Sequence, residues 1–177
     1  MEKIYLAGEF IATSQQIVVT DPYSGKSVAS VCLASPSDVD TAIAKANAVR
    51  TQMQDLPVFE RAGILRKIAE TFTKRREELA KLLISESAKP WRYAIAEVDR
   101  AAETFLIASE ECKRFPGEVM SLDWTPSGKN KKGIVDYFPI GVIAGITPFN
   151  FPFNLVAHKV APAIAAGRSE ERRVGKE

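Results

Sequence analysis

The chain has 177 residues, with 24 Lys and Arg against 22 Asp and Glu for a net charge of +2, and 46% of its residues are apolar. Such a composition excludes intrinsic disorder and leaves room for a sizeable core. The even charge balance excludes a protein whose main partner is the nucleic-acid backbone, and no uninterrupted apolar stretch is long enough for a membrane-spanning helix.

Residues 4–34 alternate short apolar runs with turn formers, Asp21-Pro22-Tyr23-Ser24-Gly25 above all, and predict a small antiparallel ribbon. Ser35 and Asp38 have capping-box spacing around Pro36, so a helix is expected to start there, with Val39, Ala42, Ile43, Ala46 and Val49 as its apolar stripe. A second helix is expected from Pro57, burying Phe59, Ala62, Leu65, Ile68, Ala69 and Phe72. The charge run at residues 74–78 predicts a kink before Leu79, Leu82 and Leu83 resume the stripe. Pro90 ends that element, and a third helix carries Ile95, Val98, Ala102, Phe105 and Cys112.

Pro116-Gly117 and Pro126-Ser127-Gly128 place residues 115–130 in a loop or hairpin, followed by a strand at residues 133–138. Residues 142–146 form a nearly continuous apolar run of the kind buried on both faces of a parallel sheet. A turn at residues 147–150 and a helix over residues 151–166, with Pro152 in its first turn, complete a strand-turn-helix unit. The last ten residues break the pattern, because seven of them are charged where a second apolar strand is expected. A lone parallel strand would leave backbone groups and apolar faces without partners, so aggregation or loose packing is expected of the chain by itself.

Few residues suggest chemistry on pattern alone. Cys112 lies on a helical stripe and Cys32 within an apolar strand, so both read as core, with no disulfide framework and no thiolate metal site. His158 is the single histidine, and no nucleophile is paired with it in the pattern. Lys129, Lys131 and Lys132 beside Trp124 read as a solvated hairpin tip, while Gly141 and Gly145 lack the spacing of a dinucleotide fingerprint. Asn150 stands in the turn at the carboxyl end of a parallel strand, where open α/β sheets place ligands. Its amide fits an oxyanion donor and fits a helix N-cap equally well.

Residues 139–152, Pro-Ile-Gly-Val-Ile-Ala-Gly-Ile-Thr-Pro-Phe-Asn-Phe-Pro, closely resemble the signature segment of the NAD(P)-dependent aldehyde dehydrogenase superfamily, and residues 154–167 extend the likeness. Residues 85–90, 96–100 and 21–25 resemble its amino-terminal region, so the resemblance runs from about residue 4 to residue 167. The implied fold is α/β, the amino-terminal part of the aldehyde dehydrogenase fold. It comprises a β-ribbon, a helical layer and the first strand-helix unit of a Rossmann-like cofactor domain, left incomplete. Residues 1–167 would be that part, and residues 168–177 a charged tail foreign to the family, such as a frameshift or vector sequence leaves.

The resemblance implies oxidation of an aldehyde to a carboxylic acid with NAD or NADP through a cysteine thiohemiacetal. It makes Asn150 the amide donor to the oxyanion. Ile146, Thr147, Pro148 and Phe149 would lie along the cofactor, with Phe149 where many relatives have Trp, and Phe151, Asn154, Leu155 and His158 would line the substrate tunnel. Asn154 and His158, four apart, would make that wall partly polar and suit a small oxygenated aldehyde. The family's nucleophile motif does not occur here, so this chain alone is expected to be inactive. The alternative is a non-catalytic short form docking on a full-length partner through the hairpin at residues 123–137. The remaining expectations are a homo-oligomer in the full-length parent, a cytoplasmic location, and neither metal, nucleic acid nor membrane as a partner.

Overall fold

The computed structural model describes residues 1–115 and 117–167, together with the backbone of 170–174. The ribbon forms as two hairpins: β1 (Ile4–Leu6) pairs antiparallel with β2 (Glu9–Ile11), and β3 (Gln16–Thr20) with β4 (Ser27–Cys32). Asp21 builds the second turn, its carboxylate accepting from the Tyr23 N–H at 2.8 Å and the Ser24 hydroxyl at 2.7 Å. Those bonds offer the backbone a local turn in place of a longer strand.

Helix α1 (Pro36–Ala48) begins where its capping box predicts. The Ser35 hydroxyl accepts from the Asp38 N–H at 3.3 Å, and the Asp38 carboxylate accepts from the Ser35 N–H at 2.7 Å. After the short α2 (Arg50–Asp55) come α3 (Val58–Lys74) and α4 (Arg76–Ser87), separated at Arg75, whose φ of −97° and ψ of 16° leave helical geometry within the charge run. Ala88 ends α4 in the left-handed region at φ 51°, and Pro90 starts α5 (Trp91–Glu111).

The core lies where α3, α4 and α5 meet α6 (Asn154–Ala165). Ala157, Ala161 and Ala165 recur every four residues on the buried face of α6, small enough to let its axis approach α5 closely. Phe72 joins the two halves of this core, 5.7 Å from the Phe105 ring and edge-on to Phe153 at 5.8 Å. Four residues assigned to apolar stripes are exposed. Ile43 and Val49 are open because α1 buries no residue against the described chain. Phe59 is exposed in the first turn of α3, ahead of the packed stretch that begins at Ala62. Leu82 is exposed because Ala80 and Leu83 take the buried side of α4, and neighbouring positions on a helix diverge by about 100°.

Beyond α5, β5 (Glu118–Ser121) pairs antiparallel with β6 (Lys132–Val135), a shorter strand than the sequence predicts. Strand β7 (Ile143–Thr147) then pairs in parallel with β8 (Glu170–Val174), Ile143 opposite Glu170 and Thr147 opposite Val174. The expectation that the charged tail would supply no strand is therefore corrected. Ladder pairing uses main-chain groups, and charged side chains are common on edge strands. β7 is thus not a lone strand, and the unpaired-backbone premise for aggregation falls away, while one apolar face stays open at Ile146.

Two further boundaries differ from expectation. β7 is covered on one face only among the described residues, with Gly145 and Thr147 buried and Ile146 63% exposed, since α6 packs on a single side. Helix α6 begins at Asn154 rather than Phe151, leaving Pro152 in the turn before it. At its other end Gly167 has φ +71°, and a Cβ there would come within 3.0 Å of an Arg61 guanidinium nitrogen and 3.4 Å of Pro139, so glycine is favoured and a side chain would be strained. The predicted turn at Pro116 and the tail positions 168–169 and 175–177 lie outside the described residues.

Candidate active site

Between the end of β7 and the start of α6 the chain turns at the carboxyl edge of a parallel strand, the position at which α/β sheets present ligand sites. Asn150 is exposed in this turn, and its carboxamide makes no hydrogen bond among the described residues. The N-cap of α6 is Phe153, which brings no side-chain cap, so the capping alternative for Asn150 is excluded. Its two N–H donors are available to a ligand.

The cap that α6 lacks locally comes from α5. Glu97, with its side chain 1% exposed, accepts through Oε1 from the backbone N–H of Phe153 at 3.0 Å and of Asn154 at 3.4 Å. A carboxylate there satisfies donors that the helix start leaves orphaned and complements the positive end of the helix dipole. Oε2 of Glu97 is paired with the Lys89 ammonium. Lys89 Nζ also donates to the carbonyl of Asn150 at 2.9 Å and stands 4.5 Å from the Phe151 ring centroid. The sequence reading missed this network. One signal for it existed: Glu97 lies three residues after Ala94 and four before Ala101, a carboxylate set inside the buried stripe of α5.

The other predicted positions divide by exposure. Ile146, Pro148 and Phe149 are exposed and form an apolar ledge at the strand end, while Thr147 turns into the core. Phe151 is partly exposed and Leu155 half-buried; His158 is exposed on the outer side of α6. Asn154 is only 3% exposed, and its Oδ1 has no hydrogen-bond partner. Asn154 and His158 therefore do not share one environment: capping by Glu97 draws the first turn of α6 against α5, and the fourth residue on faces outward.

Both cysteines are buried. The Cys112 thiol donates to the Ser109 carbonyl at 3.3 Å, and burial pushes its pKa above the ordinary value, outweighing the opposite pull of Arg61 and Lys113. That is the setting of an inert core thiol. Among the described residues no cluster of His, Cys, Asp and Glu could hold a metal ion.

A parallel strand running into an amide-bearing turn and an alanine-faced helix is the arrangement at whose strand end α/β sheets present ligand sites. The chain belongs to the aldehyde dehydrogenase family, whose model matches residues 10–169. It is 38% identical over 167 residues to the 3-sulfolactaldehyde dehydrogenase of Priestia aryabhattai, covering 94% of this chain and 34% of that one. It is 35% identical to the lactaldehyde dehydrogenase of Methanocaldococcus jannaschii, covering 93% and 34%. The crystal structure of aldehyde dehydrogenase 21 from Physcomitrella patens, in complex with the reaction product succinate, superposes with a TM-score of 0.93 at 39% identity, covering 97% of this chain and 36% of that one. The chain thus spans about a third of the length of the relatives it matches.

Proposed function

We propose that this chain supplies the amino-terminal third of an NAD(P)-dependent aldehyde dehydrogenase, which oxidises an aldehyde to a carboxylic acid through a thiohemiacetal on a cysteine outside this segment. The observation that carries the reading is the exposed, unpaired Asn150 carboxamide, held in a turn whose backbone is fixed at both ends. A donor fixed before the reaction stabilises charge as it develops on the aldehyde oxygen, at no cost of reorganisation. Asn150→Ala in the full-length protein is expected to lower kcat by about 10²- to 10³-fold. Undiminished turnover would overturn the assignment.

The ledge of Ile146, Pro148 and Phe149 suits a flat, extended dinucleotide, with Thr147 anchoring the strand end beneath it. NAD or NADP bound there would accept the hydride that oxidation of the aldehyde releases. Phe151, Leu155 and His158 are the tunnel positions that ligand can reach, and Asn154 contributes from behind them. The relatives named for 3-sulfolactaldehyde and lactaldehyde support a small oxygenated substrate for this family member too. Comparing oxidation of lactaldehyde and a semialdehyde with that of hexanal tests this part, and preference for hexanal would reject it.

With both cysteines buried, the chain alone has no candidate nucleophile and should show no turnover. Among the described residues no helix is long and apolar enough to cross a membrane; a cytoplasmic, homo-oligomeric parent remains part of the proposal. One observation favours a second reading, a short form that docks on a full-length partner: Trp124, Ile134 and Tyr137 of the hairpin region are exposed. Mixing the chain with a full-length relative separates the two readings, because only the second expects the partner's assembly to change.

A further inference from the structure

We infer that Lys89 and Glu97 are positioning residues for the Asn150 amide, one clamp holding both ends of the turn that carries it; this deepens the oxyanion reading above and rests on it. The two oxygens of Glu97 do different work. Oε1 fixes the end of the turn at Phe153 and Asn154, while Oε2 holds Lys89, which reaches the beginning of the turn at the Asn150 carbonyl, 2.9 Å away. A helix cap alone needs only the first oxygen. Lys89 plays no part in capping α6, and its bond is to the main chain of the residue whose exposed carboxamide is the proposed oxyanion donor.

The clamp is itself anchored. Lys89 sits between Ala88, locked in the left-handed region, and Pro90, whose ring fixes φ, so its backbone has little freedom. Its side chain is 15% exposed, and its ammonium stands over the Phe151 ring, which limits competition from water for the charge-assisted bonds. Displacing a catalytic group by 1 Å costs about 10²-fold in rate, so loosening this turn should appear in turnover.

The test is a double-mutant cycle in the full-length enzyme. Lys89→Met keeps a side chain of similar length and removes the donors. It is expected to lower kcat by about 10- to 10²-fold, while KM for the aldehyde changes less than about threefold and cofactor binding is kept. The melting temperature should also fall, because the buried Glu97 carboxylate loses its cation, so the kcat comparison is made well below it. Lys89→Arg, which retains a donor, should recover part of the loss, and Glu97→Gln provides a second variant should Lys89→Met fold poorly. In an Asn150→Ala background, Lys89→Met should cost less than about threefold more, because the group it positions is gone. An equal loss in both backgrounds would overturn the clamp and leave the oxyanion reading standing, as would an unchanged kcat in Lys89→Met. Full turnover in Asn150→Ala alone would instead remove the reading on which the clamp rests.

Discussion

The helical layer and the strand-bearing segments that follow it solve the same problem, an apolar surface, in opposite ways. α3, α5 and α6 bury theirs against one another: Leu65, Val98 and Ala161 are sealed, and even the charged Glu97 is fully partnered inside. β7 and the β5–β6 hairpin leave theirs open, with Ile146 bare on one face of a two-stranded sheet and Ile134 73% exposed. Close packing and apolar burial therefore reside in the first region. The second is the part that a full-length aldehyde dehydrogenase would complete, and it carries the ledge proposed to face the cofactor. Most of the stability therefore resides in the first region, and substitutions that test packing belong there.

The largest effect expected from this contrast is in the core. Leu65→Ala, at a site with no exposure, should cost about 2–5 kcal/mol, whereas Ile134→Ala should stay within about 0.5 kcal/mol; urea denaturation of the chain measures both. Equal costs would erase the distinction between the regions. A smaller effect tests whether α1 belongs to the stable part: Ser35→Ala removes one half of the capping box and should cost about 1 kcal/mol by the same measurement. The smallest concerns the bidentate ion pair that ties α4 to α5, in which Arg76 donates to both oxygens of Asp99 at 2.6 and 2.7 Å. That hydrogen-bonded guanidinium holds the Asp99 carboxyl below its ordinary pKa. The pair therefore stabilises the fold above the carboxylate's unfolded value and loses its contribution as pH falls through the depressed folded one. Both side chains are partly exposed, so solvent and salt screen the pair. Asp99→Asn should lower the melting temperature slightly at pH 7 and match the parent in strong acid, and a gap that persists in acid would point to packing instead.

What the sequence made legible was local. Ser35 and Asp38 name their own helix start, the charge run around Arg75 names the break between α3 and α4, and Asp21 names the hairpin turn, because each acts within three or four residues. The turn bearing Asn150 was legible from its place after an apolar strand, and the chemistry proposed for it rests on a family likeness. The clamp was not, because it depends on residues 56 apart in sequence meeting across a helix interface, and spacing along α5 says nothing of which helix end Glu97 meets. The environment of Asn154 was missed for the same reason: four-residue spacing relates it to His158 along α6 and is silent about α5. Strand β8 was illegible because its composition argues against a strand, while its pairing draws only on the main chain.

The start of α6 is encoded in a different helix. No residue at its own amino end supplies a side-chain cap, so the first turn is specified only once Glu97 arrives on a docked α5. The carboxylate cap of this helix therefore exists only while α5 is docked against it. It also sets a rule for recombination within the family, since a crossover placed between these two helices would join a lock from one parent to a key from another.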